Sequence, residues 1–116
     1  MKFLNRDAII VKPKEPFLNW VNYTDPEHSI TLEELRDMPN IYLLPETDTP
    51  EQKEKYLEKN CHKIFKHELM DYWTNEEDHP KDLSLKFFKE WFGYEFSEMI
   101  TDTMEKPLTK ESFANR

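Results

Sequence analysis

Short apolar runs, separated by prolines, divide the chain into strands and helices. Residues 7–12 form a β-branched run that ends before Pro13, and its three consecutive apolar side chains predict a strand in the centre of a sheet. Residues 40–44 form a second run of this kind and predict a second strand. Between the two strands, Pro16 begins one short helix, and the capping-box pattern of residues 31–34 begins another.

A longer helix is predicted from Pro50 to about Tyr72, because Thr49 can cap its first turn and Pro50 can occupy the first helical position. Its apolar side chains share one broad face: Leu57, Cys61, Ile64, Phe65, Leu69 and Tyr72. Glu68 falls near the middle of that face, where a charge is costly unless it is paired or hydrogen-bonded. This carboxylate is therefore the polar group that most needs a partner.

Residues 83–96 carry six of the sixteen aromatic side chains and predict a core helix. Gly93 is the only glycine in the chain, and we expect it to end this helix. After Gly93 the pattern alternates, so residues 94–103 predict a third strand. The alternative continues the helix to Met104, because the aromatic spacing also fits one helical face.

The element order is β-α-α-β-α-α-β, which predicts an α+β fold. We expect a small three-stranded sheet, with the two longer helices packed mainly on one face of it. A chain of 116 residues is typical of one domain. Residues 1–107 are predicted to form this single α+β domain, and residues 108–116 a polar C-terminal tail that frays.

Charge and composition limit the classes of function. The chain has 24 acidic residues against 16 Lys and Arg, a net charge of -8, which repels nucleic acids and anionic membranes and suits a basic protein partner. Its apolar runs are too short to span a membrane. The single Cys61 excludes an internal disulfide and is typical of the cytoplasm. With one glycine, phosphate-binding glycine loops are excluded, and no cofactor is implied.

An acidic loop, residues 71–79, is the first candidate for partner binding. It places Trp73 beside Glu76, Glu77 and Asp78, so the ring can anchor a basic partner while the carboxylates steer its approach. Alternatively, Trp73 folds back onto the end of the long helix and the acidic groups stay in water.

Phe87 and Trp91 form a second candidate surface, at the margin of the apolar arc of the aromatic helix. The arc is wider than a three-stranded sheet must cover, so its excess can serve a homodimer or a partner. Burial beneath the N-terminal helix is the alternative.

Glu68 is the candidate catalytic residue, since a partly buried carboxylate with a raised pKa can act as a general acid or base. An ion pair with Arg6 or Arg36 is the structural alternative. The candidate metal ligands are His67 and Asp71, four residues apart on one helix, together with His79 from the following loop.

Several segments resemble a family of small acidic bacterial cytoplasmic proteins: residues 16–20, 31–36, 41–46, 65–73 and 88–92. The resemblance extends to about Pro107. It implies a stand-alone bacterial domain and transfers no catalytic residue.

These patterns favour a non-enzymatic cytoplasmic interaction module that presents the acidic loop to a basic protein or associates with itself. The alternative is a small hydrolase-like or metal-assisted enzyme centred on Glu68.

Overall fold

The computed structural model describes residues 1–113, which contain four α-helices, two short 3-10 turns and five strands. The strands are β1 (Lys2–Phe3), β2 (Arg6–Pro13), β3 (Ile41–Pro45), β4 (Phe92–Ser97) and β5 (Thr101–Asp102). The helices are α1 (Glu15–Thr24), α2 (Leu32–Arg36), α3 (Pro50–Tyr72) and α4 (Leu85–Trp91), and the 3-10 turns are Pro26–His28 and Glu76–Asp78. The predicted α+β class is confirmed.

The main sheet has three strands in the order β3-β2-β4, and both pairings are antiparallel. Strand β2 is central, as its apolar run predicts. Arg6 pairs with Pro45 at one end of the β2–β3 ladder, and Pro13 pairs with Phe92 at one end of the β2–β4 ladder. Within residues 1–113, strand β3 therefore lies at an edge of the sheet, with β2 as its strand neighbour.

Alternation along β2 separates a covered face from an open one. Ile9 and Val11 are fully buried, whereas Lys12, between Val11 and Pro13, is exposed and pairs with Glu95 across the sheet. Ile41 on β3 also lies on the open face and is 60% exposed. The helices thus pack mainly on the face that carries Ile9 and Val11.

Helix α3 is the centre of the core, and its start follows from its sequence. The Thr49 hydroxyl accepts a 3.2 Å hydrogen bond from the Gln52 amide, and Pro50 occupies the first turn. Phe65, in the middle of α3, is fully buried and lies 5.3 Å from the ring of Phe92 and 5.5 Å from that of Trp91. The capping box that begins α2 is also present as predicted.

The C-terminal strand prediction is correct in type but not in extent. Residues 94–97 belong to β4 and residues 101–102 to β5, and no helix covers residues 94–103, so the alternative of a helix to Met104 is wrong. Strand β4 ends at Ser97, however. The next strand, β5, pairs with β1 in a separate two-stranded sheet that the sequence did not predict.

Gly93 does not end the aromatic helix. Helix α4 ends at Trp91, and Phe92 already has extended backbone angles (φ -137°, ψ 139°). Gly93 lies inside β4, opposite Lys12, and its φ is not positive. The ladder between β4 and β2 ends the helix, so the role predicted for Gly93 is wrong.

In the described part of the C-terminal tail, residues 108–112 have neither a helix nor a strand assigned to them. The ring of Phe113 lies 4.7 Å from that of His67 on α3. The rest of the segment predicted to fray lies outside the described residues. Among the helices of residues 1–113, none combines the length and apolar character that a membrane span requires.

Candidate functional site

Glu68 is buried, with 3% of its surface exposed, and its partners are polar side chains rather than a cation. The Tyr42 hydroxyl donates a 2.6 Å hydrogen bond to Oε2 of Glu68, and Asn40 Nδ2 donates a 2.5 Å hydrogen bond to the same oxygen. Within residues 1–113, neither arginine considered as a partner pairs with it: Arg36 donates to the Pro13 carbonyl, and Arg6 to Asn5.

The register of the sheet brings these groups together. Tyr42 pairs with Ile9, whose side chain lies on the covered face, so the tyrosine ring points toward α3. Asn40 immediately precedes β3 and approaches the last turns of the same helix. The edge strand and the C-terminal end of α3 are therefore joined by hydrogen bonds.

His67 and Asp71 extend this hydrogen-bonded group on either side. Asn40 Nδ2 also donates to Oδ2 of Asp71, at 2.9 Å, and His67 Nδ1 lies 2.8 Å from the Tyr42 hydroxyl oxygen. Because that hydroxyl gives its single proton to Glu68, the network assigns a proton to Nδ1 of His67. The lone pair of the imidazole is then on Nε2.

Burial governs the electrostatics of the cluster. It raises the pKa of Glu68, while the hydrogen bonds from Tyr42 and Asn40 act in the opposite direction. Burial, followed by the charge of Glu68, raises the pKa of Tyr42 well above its ordinary value. The raised pKa favours the protonated hydroxyl, which agrees with the role of Tyr42 as the donor to Glu68.

Two of the three predicted metal ligands lie together, and the third lies elsewhere. One ligand atom from each of His67, Glu68 and Asp71 lies within 4.8 Å of the others. His79 is buried against Trp20, and its Nε2 donates to the Trp73 carbonyl at 2.6 Å. That nitrogen is engaged in holding the loop, and His79 is not part of the group that contains Glu68.

The acidic loop is held in shape by its own hydrogen bonds. The indole N–H of half-buried Trp73 donates to Oδ2 of Asp78 at 2.8 Å, and the indole N–H of Trp20 donates to the Asp78 carbonyl at 2.9 Å. Glu76 forms an ion pair with Lys66 of α3, while Glu77 is exposed. Trp73 thus packs back onto the protein, and the carboxylates face solvent.

Phe87 and Trp91 are half-buried and pack inward. Phe87 stacks on Phe65 at 5.8 Å, and Trp91 lies 5.5 Å from Phe65 and 6.0 Å from Phe17 of α1. Trp91 thus lies against the N-terminal helix, whereas the ring contacts of Phe87 are with Phe65 of α3 and with Trp91 itself.

A surface groove of about 360 Å³ adjoins the polar cluster. Its lining residues include Tyr42 and His67, which also belong to the cluster, and the others are Ile41, Lys63, Ile64 and Phe113. Cys61 is 2% exposed, and burial raises the pKa of its thiol, so it lies in the core as its position on α3 predicts.

Asn40 and Tyr42 are the site residues that the sequence did not reveal. Both lie 25 or more residues from their partners on α3. Their contacts depend on the register of β3, and only the polarity of Asn40 beside a strand gave a signal. No protein-family model matches the chain, and the comparisons with curated proteins and with solved structures gave no match either.

Proposed function

We propose that the protein is a cytoplasmic, non-enzymatic interaction module that binds a basic segment of a partner protein at the acidic end of α3. The acidic end comprises four carboxylates, namely Asp71, Glu76, Glu77 and Asp78. One observation supports the proposal: the 23-residue helix α3 has no basic residue in its last turn, which contains Asp71, and the 3-10 turn Glu76–Asp78 follows it with three more carboxylates. The negative end of a helix dipole favours cations, so this arrangement costs stability that a bound cation would return.

Two further features support this choice of surface. Met70 is 37% exposed and Tyr72 is 41% exposed, so apolar surface lies next to the carboxylates. The hydrogen bonds of Trp73 and His79 hold the loop in place, which reduces the entropy that binding must remove. A segment that alternates Lys or Arg with apolar residues would match both kinds of surface.

Self-association through Phe87 and Trp91 is less well supported, because both rings pack against Phe65. The cytoplasmic location is supported by the single free cysteine, which is buried in the core.

The test is fluorescence anisotropy with a short labelled peptide that alternates Lys, Arg and Leu. We expect saturable binding that weakens between about 50 mM and about 300 mM salt, because screening grows over that range. An acidic peptide of the same length should not bind. Absence of binding at low salt would contradict the proposal.

A matched pair of charge reversals locates the surface. Glu77→Lys alters an exposed carboxylate of the acidic end, and Glu33→Lys makes the same charge change on exposed α2. We expect Glu77→Lys to weaken binding about 5-fold or more, since a reversed contact costs about 1 kcal/mol. Glu33→Lys should leave affinity nearly unchanged. An equal loss in both variants would indicate binding through net charge alone.

A further inference from the structure

Three side chains with metal-binding atoms converge on the last turns of α3. One atom from each of His67, Glu68 and Asp71 lies within 4.8 Å of the others. An imidazole nitrogen and two carboxylate oxygens are donors that Zn²⁺ and other first-row divalent ions accept. We propose that His67, Glu68 and Asp71 bind a divalent transition-metal ion, with Zn²⁺ as its representative. This site shares Asp71 with the acidic end of α3, but the proposal does not rest on peptide binding there.

Each of the three side chains keeps one ligand atom out of the hydrogen-bond network. Both hydrogen bonds to Glu68 reach Oε2, and the bond to Asp71 reaches Oδ2, which leaves Oε1 and Oδ1. On His67 the contact with Tyr42 uses Nδ1 and leaves Nε2. Within residues 1–113, every side-chain polar atom closed off from solvent has a partner. Oε1 of Glu68, which has none, is therefore accessible although the residue is 3% exposed.

The residues behind the ligands are arranged as the outer partners of a metal site commonly are. Tyr42 contacts both Glu68 and His67, and Asn40 contacts both Glu68 and Asp71. Such partners fix the tautomer of a ligating imidazole and the orientation of a ligating carboxylate. Here they hold two carboxylates close together at the negative end of a helix dipole, where a cation is favoured.

Local charge and access also suit a cation. The last turn of α3 has no basic residue, and the nearby Lys66 is already paired with Glu76. Of the three ligands, His67 lines the surface groove, together with Tyr42, and Asp71 is exposed to solvent. Lys63 also lines this groove, but its side chain is exposed and can turn away into water.

Coordination needs only local movement. One ligand atom of each residue already lies within 4.8 Å of the others. Tetrahedral Zn²⁺ sites place their ligand atoms about 3.3 Å apart, so side-chain rotation must bring Oε1 of Glu68, Oδ1 of Asp71 and Nε2 of His67 to that spacing. Asp71 is exposed and can make that rotation. Three protein ligands leave a further coordination position for water or for a molecule held in the groove.

The test is calorimetric titration of ZnCl₂ into the chelator-treated full chain. We expect one ion per chain, and at least a 10-fold loss of affinity in both His67→Ala and Asp71→Asn. His67 is half-buried and Asp71 is exposed, so both variants should fold. Circular dichroism and thermal unfolding in the absence of metal check that they do. The matched controls are His62→Ala and Glu58→Gln, which alter exposed residues of the same helix and should bind as the unaltered chain does.

An NMR experiment on imidazole nitrogens identifies the ligand atom directly. Zinc should shift the Nε2 resonance of His67 and leave those of the exposed His28 and His62 unchanged. If no binding is detected at zinc concentrations up to about 1 mM, the proposal is overturned, because an ion that binds more weakly than this would contribute little to the stability of the fold. So would unchanged affinity in His67→Ala, or a shift at His62 instead of His67.

Discussion

Tyr42 and Glu68 belong to different elements, and a 2.6 Å hydrogen bond from the tyrosine hydroxyl to Oε2 of the carboxylate joins them. Tyr42 lies on the edge strand β3, which has one strand neighbour, and Glu68 lies on the buried face of α3. The bond thus satisfies a buried carboxylate and attaches the edge of the sheet to the central helix. Asn40 adds a second bond of the same kind.

Replacing Tyr42 by Phe should lower the free energy of unfolding by about 1–3 kcal/mol, because Glu68 loses a donor that water cannot fully replace. Urea denaturation followed by circular dichroism measures the change. Tyr23→Phe is the control, since that side chain is 80% exposed, and it should alter stability by less than about 0.5 kcal/mol. Equal stability of the two variants would show that the bond contributes little.

Replacing Gly93 by Ala should preserve or raise stability. The φ angle of Gly93 is not positive, and an added Cβ would lie 3.8 Å from Lys14 Cε and 3.9 Å from the Lys12 carbonyl oxygen, which are ordinary contacts. Alanine also restricts the unfolded chain, which contributes about 0.4–1 kcal/mol. Thermal and urea unfolding test this. A loss above about 1 kcal/mol would support the original expectation that glycine is required to end the helix.

The local signals of the sequence were reliable where they act within a few residues. The Thr49–Pro50 start of α3 and the capping box at Thr31 depend on side chains three or four positions away, and both are present. Burial of Leu57, Cys61 and Phe65 likewise follows from helical spacing along one face.

Features that depend on distant pairing could not be predicted. The local pattern on both sides of Gly93 predicts that the helix stops there. In the structure, Phe92 pairs with Pro13, 79 positions earlier, and this pairing forms the strand. The sequence suggests an arginine as the partner of Glu68, but the register of β3 brings Asn40 and Tyr42 to it. The end of β4 at Ser97 and the start of a second sheet likewise depend on a distant pairing, that of β5 with β1.

Lys53 and Asp7 form a buried ion pair, and removing one partner should lower the free energy of unfolding far more than removing one partner of an exposed pair. Lys53 is 2% exposed and Asp7 is 4% exposed, and their charged atoms lie 3.6 Å apart. Lys53 Nζ also pairs with Oε1 of Glu98, at 2.5 Å. In Lys53→Ala both carboxylates lose this cation, but Glu98 is exposed, whereas Asp7 would stay buried, with the backbone N–H and hydroxyl of Thr47 as its hydrogen-bond donors within residues 1–113.

We therefore expect Lys53→Ala to shift the urea midpoint strongly downward. Lys12→Ala is the matched control, because it breaks the exposed pair with Glu95 and should cost about 0–1 kcal/mol. Similar midpoints for both variants would mean that Asp7 is adequately solvated without its cation.

Tyr94 should make stability fall at alkaline pH. Its hydroxyl donates to Glu54, and burial, followed by the charge of Glu54, raises the pKa of Tyr94 to about 12 from 10.0. The folded protein therefore keeps this proton over a range in which the unfolded chain releases it. Between pH 10 and 12 the unfolded state binds fewer protons, so stability falls as pH rises; below pH 10 this contribution is fully present.

Tyr94→Phe removes the titrating group and should flatten this part of the profile. The measurement is the urea midpoint of both proteins from about pH 9 to about pH 12, and the difference between them cancels the shared titration of lysines and other tyrosines. Above pH 10, the urea midpoint of Tyr94→Phe should rise progressively relative to that of the unaltered protein. Parallel profiles throughout would show that the pKa of Tyr94 is the same in the folded and unfolded chains.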